Sequence, residues 1–302
     1  MMNFCHKSRL VTMSNSNKYL AFVKTVEYGS FSKAAEILNY SQSGISRMIK
    51  DLEDEWGVSL LKRSSAGMQL TSEGLQLLPF AREACAQEQR LQEKVLELKG
   101  IESGLIRIAT FTSVATHWLP YIIKEFNKDY PEIEYELILG DYKEIEEWLI
   151  TGRADCGFLR LPTRPDLETE FLDSDRLMVA IPKDHPLVDC NKFPIKALED
   201  YPFMLLENDV SSDVTDVLYE WGIKPHVQFT TWEDYSILAM IEQGLGIGIL
   251  PELVLRRMPY SVVIKDLDTP AYRSIAFAIR SKDNISNAVL RFMDYLKFRP
   301  AP

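Results

Sequence analysis

Apolar residues recur at helical spacing in the first part of the chain, and small polar residues mark the points where helices begin. The apolar sides are formed by Ala34, Ala35, Ile37 and Leu38 in one helix and by Ile45, Ile49, Leu52 and Trp56 in the next. Ser30 and Ser41 precede these helices, and each can accept a hydrogen bond from a free amide of the first turn. Gly57 suits a left-handed helix end. The pattern predicts two helices, the second over residues 42–56, joined by a tight polar turn at residues 39–41.

A two-stranded hairpin is predicted directly after the second helix, over residues 58–70 with its turn near residues 66–67. Helices and a hairpin in this order are typical of a winged helix-turn-helix, whose second helix enters the DNA major groove. In that groove Gln can pair with adenine and Arg with guanine, while Ser and Lys can hold phosphates. The candidate DNA-binding residues are Ser41, Gln42, Ser43, Ser46, Arg47, Lys50, Lys62 and Arg63. The alternative is an ordinary solvated face of a small helical domain, and the order of the elements favours DNA binding over it.

One long helix is predicted from Thr71, a suitable N-cap, to residue 100. Pro79 lies inside it and is expected to bend it. A heptad seam runs through Leu77, Ala81, Ala84, Glu88, Leu91, Val95 and Leu98. The seam predicts pairing with a second copy of the same helix, with Glu88 at its edge. The alternative is a long helix that packs on its own domain.

From residue 101 the pattern alternates between strands and helices, which predicts an α/β fold. A β-α-β-α-β unit with a parallel sheet comes first, with its first helix over residues 116–130. A second unit follows, with helices over residues 213–221 and 235–243, and the chain returns to the first unit near residue 273 for a final helix over residues 284–298. The segment GLGIG at residues 244–248 is interpreted as a helix stop with tight packing, because it does not follow a first strand as a dinucleotide fingerprint would.

Ligands of such sheets bind beyond the carboxyl ends of the strands, where the connections diverge. This rule selects loops of both lobes and gives the candidate effector-binding residues Phe111, Thr112, Ser113, Asp141, Arg160, Glu207, Thr231, Trp232 and Glu233. Thr112, Ser113 and Arg160 can together hold a carboxylate. Asp141, Glu207 and Glu233 can hold an amine or exclude a simple dicarboxylate. For each residue alone, a helix cap or an ordinary surface loop explains the position equally well.

Residues 19–74 resemble the N-terminal domain of the LysR-type transcriptional regulators, and the rest of the chain follows the layout of that family. The matching positions are Phe22, Gly29, Ser30, Phe31, Ala34, Ala35, Leu38, Ser41, Gln42, Ser46, Ile49, Leu52, Glu53, Gly57, Leu60, Arg63, Leu70, Thr71 and Gly74. Ser43 departs from the family's usual proline at the DNA face, and Leu61 departs from its usual phenylalanine.

The resemblance implies a winged helix-turn-helix, a long dimerisation helix and a two-lobed effector domain that resembles periplasmic binding proteins. It also implies a tetramer built from dimers. A symmetric dimer predicts an inverted-repeat operator. The expected domains are a tail over residues 1–16, the DNA-binding domain over 17–71, the linker helix over 72–100 and the effector domain over 101–302. Its first lobe takes residues 101–171 and 274–302, and its second takes 172–273.

Charge is divided unequally along the chain of 302 residues, whose net charge is −10. Residues 1–100 hold 13 Lys and Arg against 11 Asp and Glu, giving +2, and residues 101–302 hold 21 against 33, giving −12. The acidic part is therefore not expected to lie on DNA. The modest positive charge of the first part indicates that DNA affinity depends on dimerisation and on where its cations lie.

Four cysteines and four histidines are scattered without metal-ligand spacing, so neither a zinc site nor a cofactor is expected. Cys156 and Cys190 can be considered as an oxidant-sensing pair of the kind some members of the resembled family use, but nothing around them favours a thiolate. The chain has no signal peptide and no apolar run long enough to span a membrane, so a cytoplasmic location is expected. Translation can start at Met1 or at Met13.

The sequence therefore predicts a ligand-responsive transcriptional regulator, not an enzyme. Its expected partners are double-stranded promoter DNA, a small-molecule effector and further copies of itself, with RNA polymerase as a further candidate. Two alternatives remain open: a cytosolic small-molecule binding module without DNA function, and an enzyme on a two-lobed scaffold. The second lacks any set of nucleophile, histidine and acid that would support it.

Overall fold

The computed structural model describes residues 15–64, 67–98, 104–206, 213–231, 233–282 and 285–300. Nearly all of the expected tail, with both candidate start sites, lies outside these residues. The chain divides into two compact units. The N-terminal unit is formed by residues up to 102 together with 150–153, and the C-terminal unit by the remainder of the described chain.

The N-terminal unit consists of α1 (Asn15–Tyr28), α2 (Phe31–Leu38), α3 (Gln42–Trp56), β1 (Leu61–Ser64), β2 (Gly67–Leu70) and α4 (Ser72–Leu98). The predicted caps are confirmed: Ser30 accepts from Lys33 N, Ser41 accepts from Gly44 N, and Gly57 ends α3 at φ 70°. Its core contains the fully buried side chains of Phe22, Ile45, Leu52 and Leu60. The bounds predicted for α3 are those observed.

Two details of this unit differ from the sequence prediction. The pattern places Ile37 on the apolar side of α2, but its side chain is 46% exposed, because the core is reached by Ala34, Ala35 and the half-buried Leu38. The pattern also places Gly67 in the hairpin turn, but it pairs with Ser64 as the first residue of β2, so the connection falls one position earlier.

The hairpin is fastened to α3 and α4 by polar contacts. The Glu53 carboxylate on α3 accepts hydrogen bonds from the backbone amides of Leu60 at 2.6 Å and Leu61 at 3.2 Å. The Thr71 hydroxyl donates to the Ser59 carbonyl and accepts from Gly74 N, which confirms its role as N-cap of α4. A side chain at Gly74 would place its Cβ 2.1 Å from the Leu60 carbonyl oxygen, so only glycine allows this close approach.

The predicted seam of α4 is divided between two environments. Leu77 and Ala81 pack into the core of the N-terminal unit together with Leu78, so this part of the seam is not exposed for contact with a second copy. Further along, Leu91 is 61% exposed and Val95 is 38% exposed. Phe80, which is not part of the predicted seam, is 69% exposed and lies about three turns before Leu91 on the same side. The exposed apolar side of α4 therefore starts at Phe80.

The C-terminal unit is built on one sheet of eight strands in the order β4-β3-β5-β10-β6-β9-β7-β8. The strands are β3 (Gly104–Thr110), β4 (Ile133–Leu139), β5 (Cys156–Arg160), β6 (Glu168–Ile181), β7 (Pro202–Leu206), β8 (His226–Thr231), β9 (Ile247–Pro251) and β10 (Val263–Ile279). The helices are α5 (Thr112–His117), α6 (Leu119–Asp129), α7 (Tyr142–Ile150), α8 (Asp213–Trp221), α9 (Asp234–Glu242), α10 (Glu252–Leu255) and α11 (Asn287–Met293). Short 3-10 segments lie at Ile195–Glu199 and Leu296–Phe298.

The parallel β-α-β-α-β order of the first lobe is confirmed, since β3 pairs in parallel with β4 and β5. The two crossings between the lobes are long strands, β6 and β10, which pair with each other in antiparallel fashion. The single helix predicted over residues 116–130 is wrong: α5 and α6 are separate and meet at Trp118. The final helix is also shorter than predicted, since α11 ends at Met293.

The interpretation of the GLGIG segment is confirmed. It lies between α9 and β9, and Gly244 has φ 74° just after the helix. A Cβ at Gly246 would come within 2.4 Å of the Pro202 carbonyl oxygen. Across the described ranges, no helix combines the length and the apolar composition needed to cross a membrane.

Candidate functional sites

The polar side of α3 lies opposite its core side. Ile45, Ile49 and Leu52 are buried, and the other side carries the exposed residues Gln42, Ser43, Arg47 and Lys50 with the partly buried Ser46. At 3.6 residues per turn these five positions fall within an arc of about 140°. One continuous polar surface of α3 therefore faces away from the domain.

The two cations of this surface are not used inside the protein. Within the described part of the chain, neither the Arg47 guanidinium nor the Lys50 ammonium has a hydrogen bond or an ion pair, and both side chains are exposed. Ser41 and Ser43 differ from them, because their hydroxyls lie 3.1 Å apart and the Ser41 hydroxyl also caps the helix. Uncommitted cations beside amide and hydroxyl groups suit contact with phosphates and base edges.

The hairpin adds further candidates beside α3. Lys62 is exposed on β1, and Arg63 follows it on the same strand, opposite Met68 of β2. The position of the Arg63 side chain lies outside the described structure. The Glu53 contacts described above hold β1 against the end of α3.

A cavity of about 660 Å³ opens in the C-terminal unit, beyond the carboxyl ends of β3 and β4 on one lobe and of β7 and β9 on the other. It is lined by Phe111, Thr112, Ser113, Leu139, Gly140, Asp141, Tyr142, Lys143, Glu144, Glu147, Leu206, Asp213, Val214, Asp234, Ile249, Pro251 and Arg273. Its volume lies within the range of small-molecule sites. The loops selected by the strand-end rule thus include residues that line it.

Arg273 forms the centre of the polar network in this cavity. Its Nη2 donates to Asp175 Oδ2 at 2.6 Å and to Ser113 Oγ at 2.8 Å, and its Nη1 donates to Tyr142 Oη at 3.2 Å. Burial acts to lower the pKa of Arg273, but its neighbours Tyr142, Asp175 and Asp213 raise it above the usual value. Arg273 therefore stays charged, and its charge is already paired.

Asp213 of α8 joins the two lobes. Its carboxylate accepts from the Tyr142 hydroxyl at 2.9 Å and from Arg160 Nη1 at 3.3 Å. Arg160 also donates to Asp216 at 2.8 Å, and its guanidinium lies 5.6 Å from the centre of the Tyr142 ring. Burial raises the pKa of the Tyr142 phenol well above its usual value, so the phenol remains a hydrogen-bond donor to Asp213.

Four of the candidate effector-binding residues line the cavity: Phe111, Thr112, Ser113 and Asp141. Arg160 does not line it and instead binds Asp213, which does. Thr231 lies at the end of β8, outside the lining, and Glu233 caps α9 by accepting from Ser236 N at 2.9 Å. Glu207 and Trp232 fall outside the described residues.

The strand-end loop at residues 140–142 brings Tyr142 into the cavity together with Asp141, whereas Asp213, Asp234 and Arg273 of the lining are not among the residues selected from the sequence. Asp213 and Asp234 each lie in the first turn of a helix, where an acidic residue is ordinary, so neither stands out as a ligand contact. Arg273 lies in the middle of a long strand, and its partners Ser113 and Asp175 are 160 and 98 residues away in sequence. Within the described ranges, no group of three or more His, Cys, Asp or Glu residues is arranged to hold a metal ion.

A winged helix-turn-helix joined to a two-lobed α/β unit with a cavity of this size defines a DNA-binding regulator with a small-molecule sensor. Residues 17–75 match the family described as bacterial regulatory helix-turn-helix protein, lysR family, and residues 99–299 match the LysR substrate binding domain. The chain belongs to the LysR family of transcriptional regulators, which are not enzymes.

Relatives and solved structures extend over nearly the whole chain. The HTH-type transcriptional regulator YvbU of Bacillus subtilis (strain 168) is 33% identical over 279 residues, covering 91% of this chain and 95% of YvbU. A full-length OxyR variant from Pseudomonas aeruginosa has a TM-score of 0.76 at 22% identity, covering 94% of this chain and 95% of OxyR. Full-length CbnR complexed with its target DNA has a TM-score of 0.67 at 22% identity, covering 94% and 99%. The two structures share the fold of this chain.

The surroundings of Cys156 and Cys190 do not favour an oxidant-sensing pair. Cys156 is fully buried, and burial raises the pKa of its thiol well above the usual value. A thiol reacts with oxidants as its thiolate, so these surroundings disfavour reaction. Cys190 packs against the core of the second lobe.

Proposed function

We propose that this regulator binds an inverted-repeat operator through the polar surface of α3 and the first strand of the hairpin. The contacts would come from Ser41, Gln42, Ser43, Ser46, Arg47, Lys50, Lys62 and Arg63. The observation that carries the proposal is the pair of exposed and uncommitted cations, Arg47 and Lys50, on the side of α3 opposite the core. Arg47 would read a base edge, while Lys50 and Lys62 would hold phosphates.

Dimerisation through the exposed apolar side of α4 would place two such surfaces on the two half-sites of the operator. A dimer with twofold symmetry reads a sequence with matching symmetry. The residues that support this role are Phe80, Leu91 and Val95, which are exposed apolar side chains on one side of the helix. We further propose that two dimers form a tetramer and that the protein acts in the cytoplasm, where it contacts RNA polymerase at the promoter.

The effector would bind in the cavity between the lobes, against Phe111, Thr112, Ser113 and Asp141. Its binding would change the packing of the dimers in the tetramer and thereby the spacing of the DNA-binding domains. An effector shifts this equilibrium only by the difference between its affinities for the two arrangements. The contacts of Asp213 with Tyr142 and Arg160 supply a group of bonds between the lobes on which an effector can act.

The test is selection of bound fragments from randomised and genomic DNA by the purified full-length protein. The expected result is an enriched motif with inverted-repeat symmetry and an affinity that falls as salt rises, because phosphate contacts release counterions. An enriched motif without internal symmetry would contradict the dimer arrangement. Failure to enrich any motif, at low salt and with cell metabolites added, would contradict the proposed DNA surface.

A further inference from the structure

The carboxylates that line the cavity differ in whether protein groups already donate hydrogen bonds to them. Asp141 and Glu144 form a reciprocal cap of α7, since each carboxylate accepts a hydrogen bond from the other residue's backbone amide, at 2.7 Å and 3.0 Å. Asp213 accepts from Tyr142 and Arg160. Asp234 differs from these three, because its carboxylate has no hydrogen bond or ion pair within the part of the chain that the structure describes.

One of the two cations that line the cavity, Arg273, is committed to protein groups. Four N–H donors of Arg273 are directed at Asp175, Ser113 and Tyr142. Lys143, the other lining cation, has an exposed side chain. The lining thus contains five acidic residues and two basic ones.

Asp234 is partly buried, which makes an unpaired carboxylate costly there, and a ligand of opposite charge removes that cost. A charged group withdrawn from water is stabilised when a partner supplies both charge and hydrogen bonds. An anionic ligand would instead meet further carboxylates while both neighbouring arginines are already paired, so it would be repelled. Phe111, Leu139, Leu206, Val214, Ile249 and Pro251 add apolar surface to the same cavity.

We propose that the effector of this cavity is an organic cation, a compound with a protonated amine or similar group on an apolar body, and that its positive group pairs with Asp234. The inference rests on the proposed function, which places the effector in this cavity, and adds the chemical class of the ligand. Asp213 would be the second acidic contact, because an approaching cation competes there with Tyr142 and Arg160. The effector would then act on the same bonds that join the two lobes.

The test compares small molecules of matched shape that differ in charge. Two sets are suitable: 2-phenylethylamine, 2-phenylethanol and 3-phenylpropionate, and 1,4-diaminobutane, 1,4-butanediol and succinate. Each compound is titrated into the full-length protein at pH 7.5, with thermal unfolding and calorimetry as the measurements. An amine that raises the melting temperature and releases or absorbs heat, while its matched alcohol and carboxylate do not, would support the proposal.

Substitution of Asp234 tests whether the amine binds at this carboxylate. Asp234→Asn should weaken the affinity for the amine by at least about 30-fold, as expected when one partner of a buried charge pair is neutralised. Asp166→Asn is the matched control: Asp166 is exposed, pairs with Arg164 and does not line the cavity, so affinity should be unchanged. Asp234→Asn should keep or raise the melting temperature of the free protein, because it removes a partly buried charge.

Three outcomes would overturn the proposal. Binding of the carboxylates in place of the amines would leave the cavity as the effector site but refute the cationic class. Equal affinity of an amine for the parent and for Asp234→Asn would refute the pairing group. No binding of either amine at millimolar concentration would refute the proposal, while the selection of operator DNA would still decide the regulator function by a separate experiment.

Discussion

Single residues separate the proposed DNA-reading surface of this chain from its proposed ligand site. Arg47 belongs to α3 and Asp234 to the cavity of the other unit, so each can be changed without touching the other site. A regulator needs both sites to influence one equilibrium, and the coupling between them is reciprocal. Substitutions at these two residues can therefore test DNA binding and ligand binding separately.

Arg47→Ala should weaken operator binding by about 5- to 150-fold, the loss expected for about 1–3 kcal/mol of base discrimination. The reason is that Arg47 is exposed, uncommitted within the described structure and on the polar side of α3. Electrophoretic mobility shift or fluorescence anisotropy with the selected operator gives the measurement. Arg164→Ala, an exposed arginine of the C-terminal unit, is the control and should bind DNA normally. Unchanged operator affinity of Arg47→Ala would show that another surface reads the DNA.

Binding of an amine to the cavity should depend on pH through Asp234. Burial raises the pKa of Asp234 to about 6, partly offset by Arg273 and increased by Glu233 and Asp213. Only the ionised carboxylate pairs with a cation, so affinity should be constant above about pH 7 and fall by up to about tenfold per unit below about pH 6.

Calorimetry between about pH 5 and pH 8 measures this dependence, and Asp234→Asn should remove the step near pH 6. Arg273 and Tyr142 do not produce such a step, because the pKa of each is raised far above this range. The other charged groups of the site and its network are Asp141, Lys143, Glu144, Glu147, Arg160, Asp175, Asp213 and Glu233, and all of them are retained in Asp234→Asn. A step of equal size in Asp234→Asn would therefore assign the titration to one of them.

At the scale of elements, α4 has two different sides, one packed into the core of its own unit and one exposed and apolar. Its first turns complete the core of the N-terminal unit with Leu77, Leu78 and Ala81, while Phe80 and Leu91 remain exposed. Exposed apolar residues that recur on one side of a helix are typical of a helix that pairs with a partner. This arrangement favours a dimer in which the winged domains stay intact when the two copies separate.

Leu91→Glu should raise the dimer dissociation constant by at least about 30-fold, because a charge at a buried seam costs about 2 kcal/mol or more. Analytical ultracentrifugation or light scattering over a range of protein concentrations measures the effect. Leu75→Glu is the matched control: Leu75 is 64% exposed, but five residues before Phe80 it lies about 140° around the helix. If both variants dissociate equally, or neither does, the Phe80–Leu91 side is not the dimer seam.

The elements that the sequence predicted well are those with local signals at both ends. The bounds of α3 follow from the Ser41 cap and the left-handed Gly57, and both signals lie within the helix's own neighbourhood. Ile37 is misplaced by its pattern because helical spacing does not reveal which side of a short helix faces the core. The break at Trp118 has a local signal in Pro120, which lies in the first turn of α6, but the apolar spacing continues across it.

At the scale of the whole molecule, charge and topology assign different tasks to the two units. The positive balance of +2 in residues 1–100 and the −12 of residues 101–302 confine DNA attraction to the N-terminal unit. The strand order determines the place of the cavity, since the strand-end rule selects loops without knowledge of side-chain contacts. Arg273 could not be foreseen, because its partners come together only when β6 and β10 pair across the sheet.

The bonds around the hairpin also bear on how such regulators can be recombined. Glu53 binds the amides at the start of β1, Thr71 ties the end of the hairpin to α4, and Leu78 and Ala81 complete the core. A chimera designed to have the operator preference of another family member must therefore exchange one continuous segment that extends beyond Ala81. A graft limited to α3, or one spliced at the end of the hairpin, would separate side chains from the partners with which they evolved. The useful splice point lies farther along α4, where the side chains no longer serve the winged domain.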